Sequence, residues 1–186
     1  YQPSMDEVRS GRRPFTILDV LHRESLVALI ERYRIAGLSR ADIDHMNRAW
    51  HRLEPWPDVR EGLGRLKRDH IIAPCSNGNI ALMVNLAKHA GLPWDCILGA
   101  ETARAYKPMP EAYLVSCRQL GLAPAQVMMV AAHNPDLKAA KAQGLATAFV
   151  ARPREHGPGQ TTNLEPDRSC VDLAAVDFVE LADRLG

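Results

Sequence analysis

Three apolar stretches of this chain end in polar residues that could do chemistry. After "IIAP" come Ser76, Asn77, Gly78 and Asn79, a turn in which glycine allows backbone N–H groups and two side chains to converge on an anion. The same residues also suit an ordinary turn and helix cap. After "CILGAE" comes Lys107, set before Pro108 and Pro110 and just ahead of a helix, where its ammonium can be a fixed positive charge in a crevice or a solvated surface group. Tyr113 lies six residues on, within that helix, where core packing is the default role of its ring. After "VMMVAA" come His133, Asn134 and Asp136. Asp136 complements the N-terminal end of the following helix dipole, and His133 has an alternative role as a structural hydrogen-bonding residue.

The elements that must position these groups follow from periodicity. Residues 1–54 show helical spacing and no strand: Ile17, Val20, Leu21, Leu26, Val27, Leu29, Ile30 and Tyr33 recur at three- and four-residue steps, with charged residues between them. Gly37 ends that helix, and Ser39 caps another that runs from Arg40 toward Trp50. Pro55 and Pro57 mark a junction, with Asp58 as a cap for a helix through Lys67. From there strand and helix alternate through 55–186: "HIIAPCSNGN", "CILGAE", "VMMVAA", "ATAFVAR" and "CVDLAAV" read as strands, separated by helices that stop at glycines such as Gly91 and Gly121. A Pro/Gly/Thr-rich loop near 153–169 interrupts this series. The pattern predicts an α/β fold, a Rossmann-like parallel sheet core (55–186) with a helical cap subdomain (1–54). Ligands in such sheets bind at the carboxyl ends of the strands, where the polar groups above fall.

Composition narrows the function classes. The chain has 186 residues, 46% hydrophobic and 24% charged, with 23 basic and 22 acidic side chains for a formal charge of +1. No strong field favours nucleic acid or an anionic membrane surface, and no apolar run approaches the roughly 20 residues of a membrane span. Cys75, Cys96, Cys117 and Cys170 are widely spaced in apolar stretches, as expected of reduced, buried thiols. A cytoplasmic protein is expected.

The order and strand-end placement of these residues extend the reading. The stretch 56–150, with Ser76-Asn77, Lys107 and "VAAHNPD" in sequence, resembles the haloacid dehalogenase superfamily of hydrolases, and the helical segment before it resembles the cap of the type II 2-haloacid dehalogenase branch. The resemblance implies an aspartate nucleophile that attacks carbon, giving an ester that water then cleaves. Lys107 matches the lysine that neutralises and orients that carboxylate. Ser76 and Asn77 match the pair that holds the substrate carboxylate and the departing halide. Tyr113 matches a tyrosine near the pocket, and Asp136 the acid that positions the lysine or the hydrolytic water. His133 stands where many dehalogenases have asparagine, at a substrate-binding position, and Ala131 where they have serine.

Phosphatases of the superfamily hold Mg²⁺ with two acids in a Gly-Asp-x-x-x-Asp pattern. Here Ala132 replaces the first, which favours expulsion of a halide by neutral donors over phosphoryl transfer. No cofactor and no metal are expected, and the partner is a small 2-halo acid, with a homodimer possible. A phosphatase-like hydrolase and a non-catalytic degenerate module are the alternatives.

One expected segment has no counterpart. The family's nucleophile follows an apolar first strand and a glycine turn, ahead of the cap. Asp19 in "FTILDVLHR" is the nearest substitute, yet Val20–Arg23 continue a helical pattern, which makes it a helix residue. No nucleophile is therefore assigned in this chain, which begins at Tyr1 and reads as a fragment. The absent strand would lie between the strands ending at Ser76 and Ala132, so two inner strands should face a gap with unpaired backbone groups. Such a chain is expected to be inactive and poorly stable. Among Arg9, Arg12 and Arg13, no motif selects a substrate-binding arginine.

Overall fold

The computed structural model describes residues 2–159 and 165–186; Tyr1 and positions 160–164, within the Pro/Gly/Thr-rich loop, lie outside them. The helical half contains α1 (Gln2–Arg9), α2 (Leu18–Arg32), α3 (Arg40–Asn47) and a 3₁₀ turn (Arg48–Arg52). Asp19 is in the first turn of α2, as its sequence context requires. Ser39 caps α3 through a capping box with Asp42, each side chain accepting from the other's backbone N–H. Only Leu18, Leu21 and His22 of α2 are buried. Of the other apolar residues of its sequence pattern, Ile17, Leu26, Val27 and Ile30 are half-buried, whereas Val20, Leu29 and Tyr33 are exposed, Leu29 to 47% and Tyr33 to 66%. The periodicity thus forms the helix, but only its first turns reach a buried apolar cluster. In that cluster Met5, Val8, Leu18 and Leu21 pack on Ala100 and Tyr106.

The second half runs α4 (Val59–Leu66), β1 (Cys75–Ser76), α5 (Ile80–Ala90), β2 (Leu98–Gly99), α6 (Ala100–Ala103), α7 (Pro110–Gln119), β3 (Met128–Ala131), α8 (Asn134–Lys141), β4 (Ala146–Val150), β5 (Leu173–Ala175) and α9 (Phe178–Leu185). All strand pairs are parallel, as the strand–helix alternation predicts. Residues along β4 alternate between two cores. Ala148 and Val150 join Leu63, Leu66 and Leu181 under α4 and α9, whereas Phe149 joins Tyr113, Leu137 and Ala140 under α7 and α8. At Gly62 a side chain would place its Cβ 2.4 Å from that of Phe178, so glycine is what lets α4 approach α9.

The strands form two separate ladders, β1–β2 and β3–β4–β5, and β1 does not pair with β3. Between them lies a cavity of about 740 Å³, bounded by 71–76 on one side and 126–133 on the other. Leu63, Leu66, Leu181 and Leu185 close one face and Ser116, Cys117 and Leu120 the other. Two strand edges and two helix faces therefore line this space. The gap also explains why "HIIAPCS" contributes only two ladder residues: most of its length has no strand beside it.

Asp58 occupies the position before α4 but does not cap it. Its carboxylate instead accepts from both terminal nitrogens of Arg152, at 3.2 and 2.9 Å, and from the Phe178 N–H at 2.8 Å, joining α4 to the end of β4 and the start of α9. The four cysteines are free; Cys117 and Cys170 are buried, and Cys75 and Cys96 half-buried. Among the described residues no helix is long and apolar enough to cross a membrane.

Candidate active site

The polar groups converge at the carboxyl-terminal mouth of the cavity. β1 delivers Ser76 and Asn77. Its close pairing with β2 depends on Gly99, which has φ of 118° and whose substituted Cβ would lie 2.2 Å from the Ser76 carbonyl oxygen. The Ser76 hydroxyl accepts from the Gly78 N–H at 2.9 Å, which tightens the turn. Asn77 Oδ1 accepts from the Lys107 N–H at 2.8 Å. A backbone N–H can only donate, so this contact fixes the amide orientation and directs the Asn77 NH₂ elsewhere, as a donor for a ligand.

Lys107 follows Tyr106, which is fully buried and donates its hydroxyl to the Thr16 carbonyl at 2.6 Å. Burial pushes the Tyr106 phenol up to about 12, so it stays a neutral donor and ties the lysine segment to the helical half. The Lys107 ammonium reaches Asp136 Oδ2 at 2.5 Å, both side chains being largely shielded from solvent. Tyr113, also fully buried, donates to Asp136 Oδ1 at 2.6 Å. Its phenol is pushed far up, first by burial and then by the hydrogen bond to the carboxylate. Asp136 itself sits in the first turn of α8, where the exposed N–H groups favour negative charge. One carboxylate is thus held by an ammonium, a phenol and a helix terminus.

Of the six residues singled out in the sequence, Ser76, Lys107, Tyr113 and Asp136 line this cavity, and Asn77 adjoins them through its bond to the Lys107 N–H while lining the neighbouring pocket beneath the helical half. His133 lines the cavity rim but turns outward, with Nε2 2.8 Å from Glu155 Oε2 rather than toward Lys107 and Asp136. Of the three candidate arginines, Arg9 reaches the site, donating from Nη2 to the Lys107 carbonyl at 2.5 Å. Its Nη1 pairs with Asp6, and its Nε is buried without a hydrogen-bond partner. Arg13 is instead paired with Glu24 at the surface. The signal for Arg9 was its spacing: it follows buried Met5 by four residues, which puts it on the inward side of α1.

Sequence reasoning also missed the junction beneath the helical half. Asp19 accepts from Asn79 Nδ2 at 2.9 Å and approaches His51 Nε2 at 3.0 Å, while its N–H donates to Asn79 Oδ1 at 3.1 Å. His51 Nδ1 lies 3.0 Å from Asn85 Nδ2, which can only donate, so the ring carries its proton on Nε2 and donates to Asp19. Asp19 is thereby committed to holding α2 against α5.

Of the carboxylates lining the cavity, Asp136 stands at the mouth and Asp69 near the opposite end, beside His70 and Ile71. Position 132 is alanine and offers no oxygen ligand from its side chain, and both Asp136 oxygens are already engaged. This donor set does not fit a Mg²⁺ ion, which favours several oxygens in octahedral array.

Comparison with known proteins agrees with this geometry. A family model described as haloacid dehalogenase-like hydrolase matches residues 13–144. The crystal structure of an L-2-haloacid dehalogenase superposes with a TM-score of 0.96 and 50% sequence identity, covering 100% of this chain and 81% of the other. An (S)-2-haloacid dehalogenase of Xanthobacter autotrophicus is 35% identical over 112 residues, 58% of this chain and 43% of that protein. A phosphoglycolate phosphatase of Chromobacterium violaceum is 34% identical over 122 residues, 64% of this chain and 53% of that protein. The chain spans about half the length of the curated relatives it matches.

Proposed function

Since this chain belongs to the haloacid dehalogenase-like hydrolase family, we propose that it forms the lysine-bearing site and cap of a 2-haloacid dehalogenase, which converts short 2-haloalkanoic acids to 2-hydroxy acids. Residues 1–54 act as the helical cap and 55–186 as the hydrolase core. The nucleophilic aspartate arrives on an apolar strand that fills the cavity between β1 and β3, entering beside Lys107. Its carboxylate oxygen attacks the substrate's Cα, the C–X bond breaks, and halide leaves with the bonding electrons. Water then adds to the ester carbonyl, releasing the hydroxy acid, regenerating the carboxylate and yielding one proton.

Each residue has a task in this scheme. Lys107 neutralises the nucleophile and keeps it deprotonated. Asp136, itself fixed by Tyr113, holds the ammonium in place and offers its remaining lone pairs to the hydrolytic water. The Asn77 NH₂ and backbone N–H groups near Ser76 stabilise halide and substrate carboxylate. Arg9, already over the Lys107 carbonyl, supplies the second cation for the substrate carboxylate. His133 contacts substrate only from the rim. The enzyme is placed in the cytoplasm, and dimerisation is supported by apolar side chains exposed on the helical half, such as Leu29, Tyr33 and Ile35.

The observation that carries the reading is the Lys107–Asp136–Tyr113 set at the mouth of the cavity between the two ladders, with alanine at 132. Its test is halide release from (S)-2-chloropropionate by the parent protein in excess chelator. Undiminished release is expected. A second reading, phosphate ester hydrolysis, is favoured only by the similarity to the phosphatase; Mg²⁺-dependent phosphate release without dehalogenation would establish it instead.

A further inference from the structure

At the outer rim of the cavity three side chains meet, of which only His133 has a part, a peripheral one, in the hydrolytic scheme. His133 ends the loop after β3, and Glu155 and His156 lie in the turn after β4. One ligand atom from each lies within 4.8 Å of the others, and all three residues are exposed. His133 Nε2 and Glu155 Oε2 are 2.8 Å apart. Among the described residues this is the one group of three or more His, Cys, Asp or Glu side chains so disposed.

We propose that His133, Glu155 and His156 bind a single Zn²⁺-like divalent cation at the cavity rim. Two imidazoles and one carboxylate are a borderline-soft donor set, which suits Zn²⁺, Co²⁺ or Cu²⁺ and disfavours Mg²⁺ and Ca²⁺, whose preferred ligands are all oxygen. Bond lengths of about 2.0–2.1 Å around a tetrahedral centre put ligand atoms about 3.3–3.5 Å apart, a spacing small side-chain rotations can reach here. Water completes the shell. The bridge would join the loop after β4 to the start of α8, the helix that carries Asp136, and so restrain the mouth of the cavity. The inference stands apart from the dehalogenase reading, because the ion takes no part in the chemistry and its test measures binding.

The untagged chain, stripped with chelator, is titrated with Zn²⁺ against a chromogenic competitor. One equivalent should bind. Removing a direct ligand should cost at least as much as the roughly 10- to 100-fold typical of an outer-shell partner, so His133→Ala and His156→Ala should each weaken binding about tenfold or more. His89→Ala, which alters a surface histidine elsewhere, should leave it unchanged, as should millimolar Mg²⁺. Cu²⁺ bound to the unaltered chain should show two imidazole nitrogens by electron paramagnetic resonance, a readout independent of how any variant folds. Absence of stoichiometric Zn²⁺ uptake, fewer than two nitrogens, or uptake abolished by His89→Ala and indifferent to His133→Ala would overturn the proposal.

Discussion

Replacing Tyr113 with phenylalanine removes one oxygen and should expose how firmly Asp136 is held. The ring is fully buried in the cluster of Leu137, Ala140 and Phe149, so its packing survives and no cavity forms. What is lost is a 2.6 Å hydrogen bond to a carboxylate, a class worth about 1.5–3 kcal/mol. The cavity beside Asp136 can admit water to the vacated lone pair, which places the expected loss at the low end, about 1.5 kcal/mol. In urea this lowers the unfolding midpoint by about 0.5–1 M with no change in slope. Tyr113→Ala, which does open a void, should cost about 3–5 kcal/mol. The control is a double-mutant cycle with Asp136→Ala, in which most of the Tyr113→Phe effect should appear as coupling. An unchanged midpoint, or a loss just as large in the Asp136→Ala background, would refute the claim that the phenol acts through this carboxylate.

Two other perturbations test the frame around the site. Asp58→Asn removes a charged partner of Arg152 beside Trp56 and Phe178, and should destabilise by about 1.5–3 kcal/mol, the worth of a hydrogen bond to a charged group. Burial alone would raise the Asp58 carboxyl, but the hydrogen bonds from Arg152 and the Phe178 N–H outweigh it and hold the group below its ordinary value of 3.8. A depressed carboxylate stabilises fully above its unfolded value and loses that contribution as pH falls through the lowered one. The gap between the parent chain and Asp58→Asn, followed by denaturant melts, should therefore narrow only below about pH 4. Hydrogen exchange should show the open lane directly: cleft-facing amides of Met128–Ala131 should exchange on the order of 100-fold faster than those of β4, which is paired on both sides. Equal protection would mean the two ladders close on each other in solution.

The strand ends were legible because parallel sheets advertise themselves as apolar runs followed by polar turns, and Ser76, Lys107 and Asp136 fall at such ends. What stayed hidden depends on partners far away in sequence. Asp58 has the local context of a helix cap, yet residues 94 and 120 positions downstream claim its oxygens. Arg9 could not be separated from Arg12 and Arg13 by motif; only the burial of Met5 turns it inward. The apolar stripe of α2 obeys helical periodicity, but periodicity states which side is apolar and not whether anything covers it. The shortness of β1 likewise reflects the lack of a described strand on its cavity side rather than its residues.

Charge accounting at the cavity mouth links these observations to the choice of chemistry. Lys107 and Asp136 cancel. On the proposed reading, an incoming nucleophilic carboxylate and the substrate carboxylate add two negative charges, set against the one positive charge of Arg9, which is itself shared with the exposed Asp6. Attack on Cα redistributes negative charge from a carboxylate oxygen to a departing halide without creating more, so amide and backbone donors suffice to follow it. A phosphomonoester dianion would bring one further negative charge, which neither the alanine at 132 nor the doubly engaged Asp136 is equipped to meet with a cation. Restoring an acid by Ala132→Asp adds a ligand atom but leaves Asp136 held by Lys107 and Tyr113. On the proposed reading, the engagement of Asp136 by Lys107 and Tyr113 opposes Mg²⁺ binding as much as the alanine at 132 does.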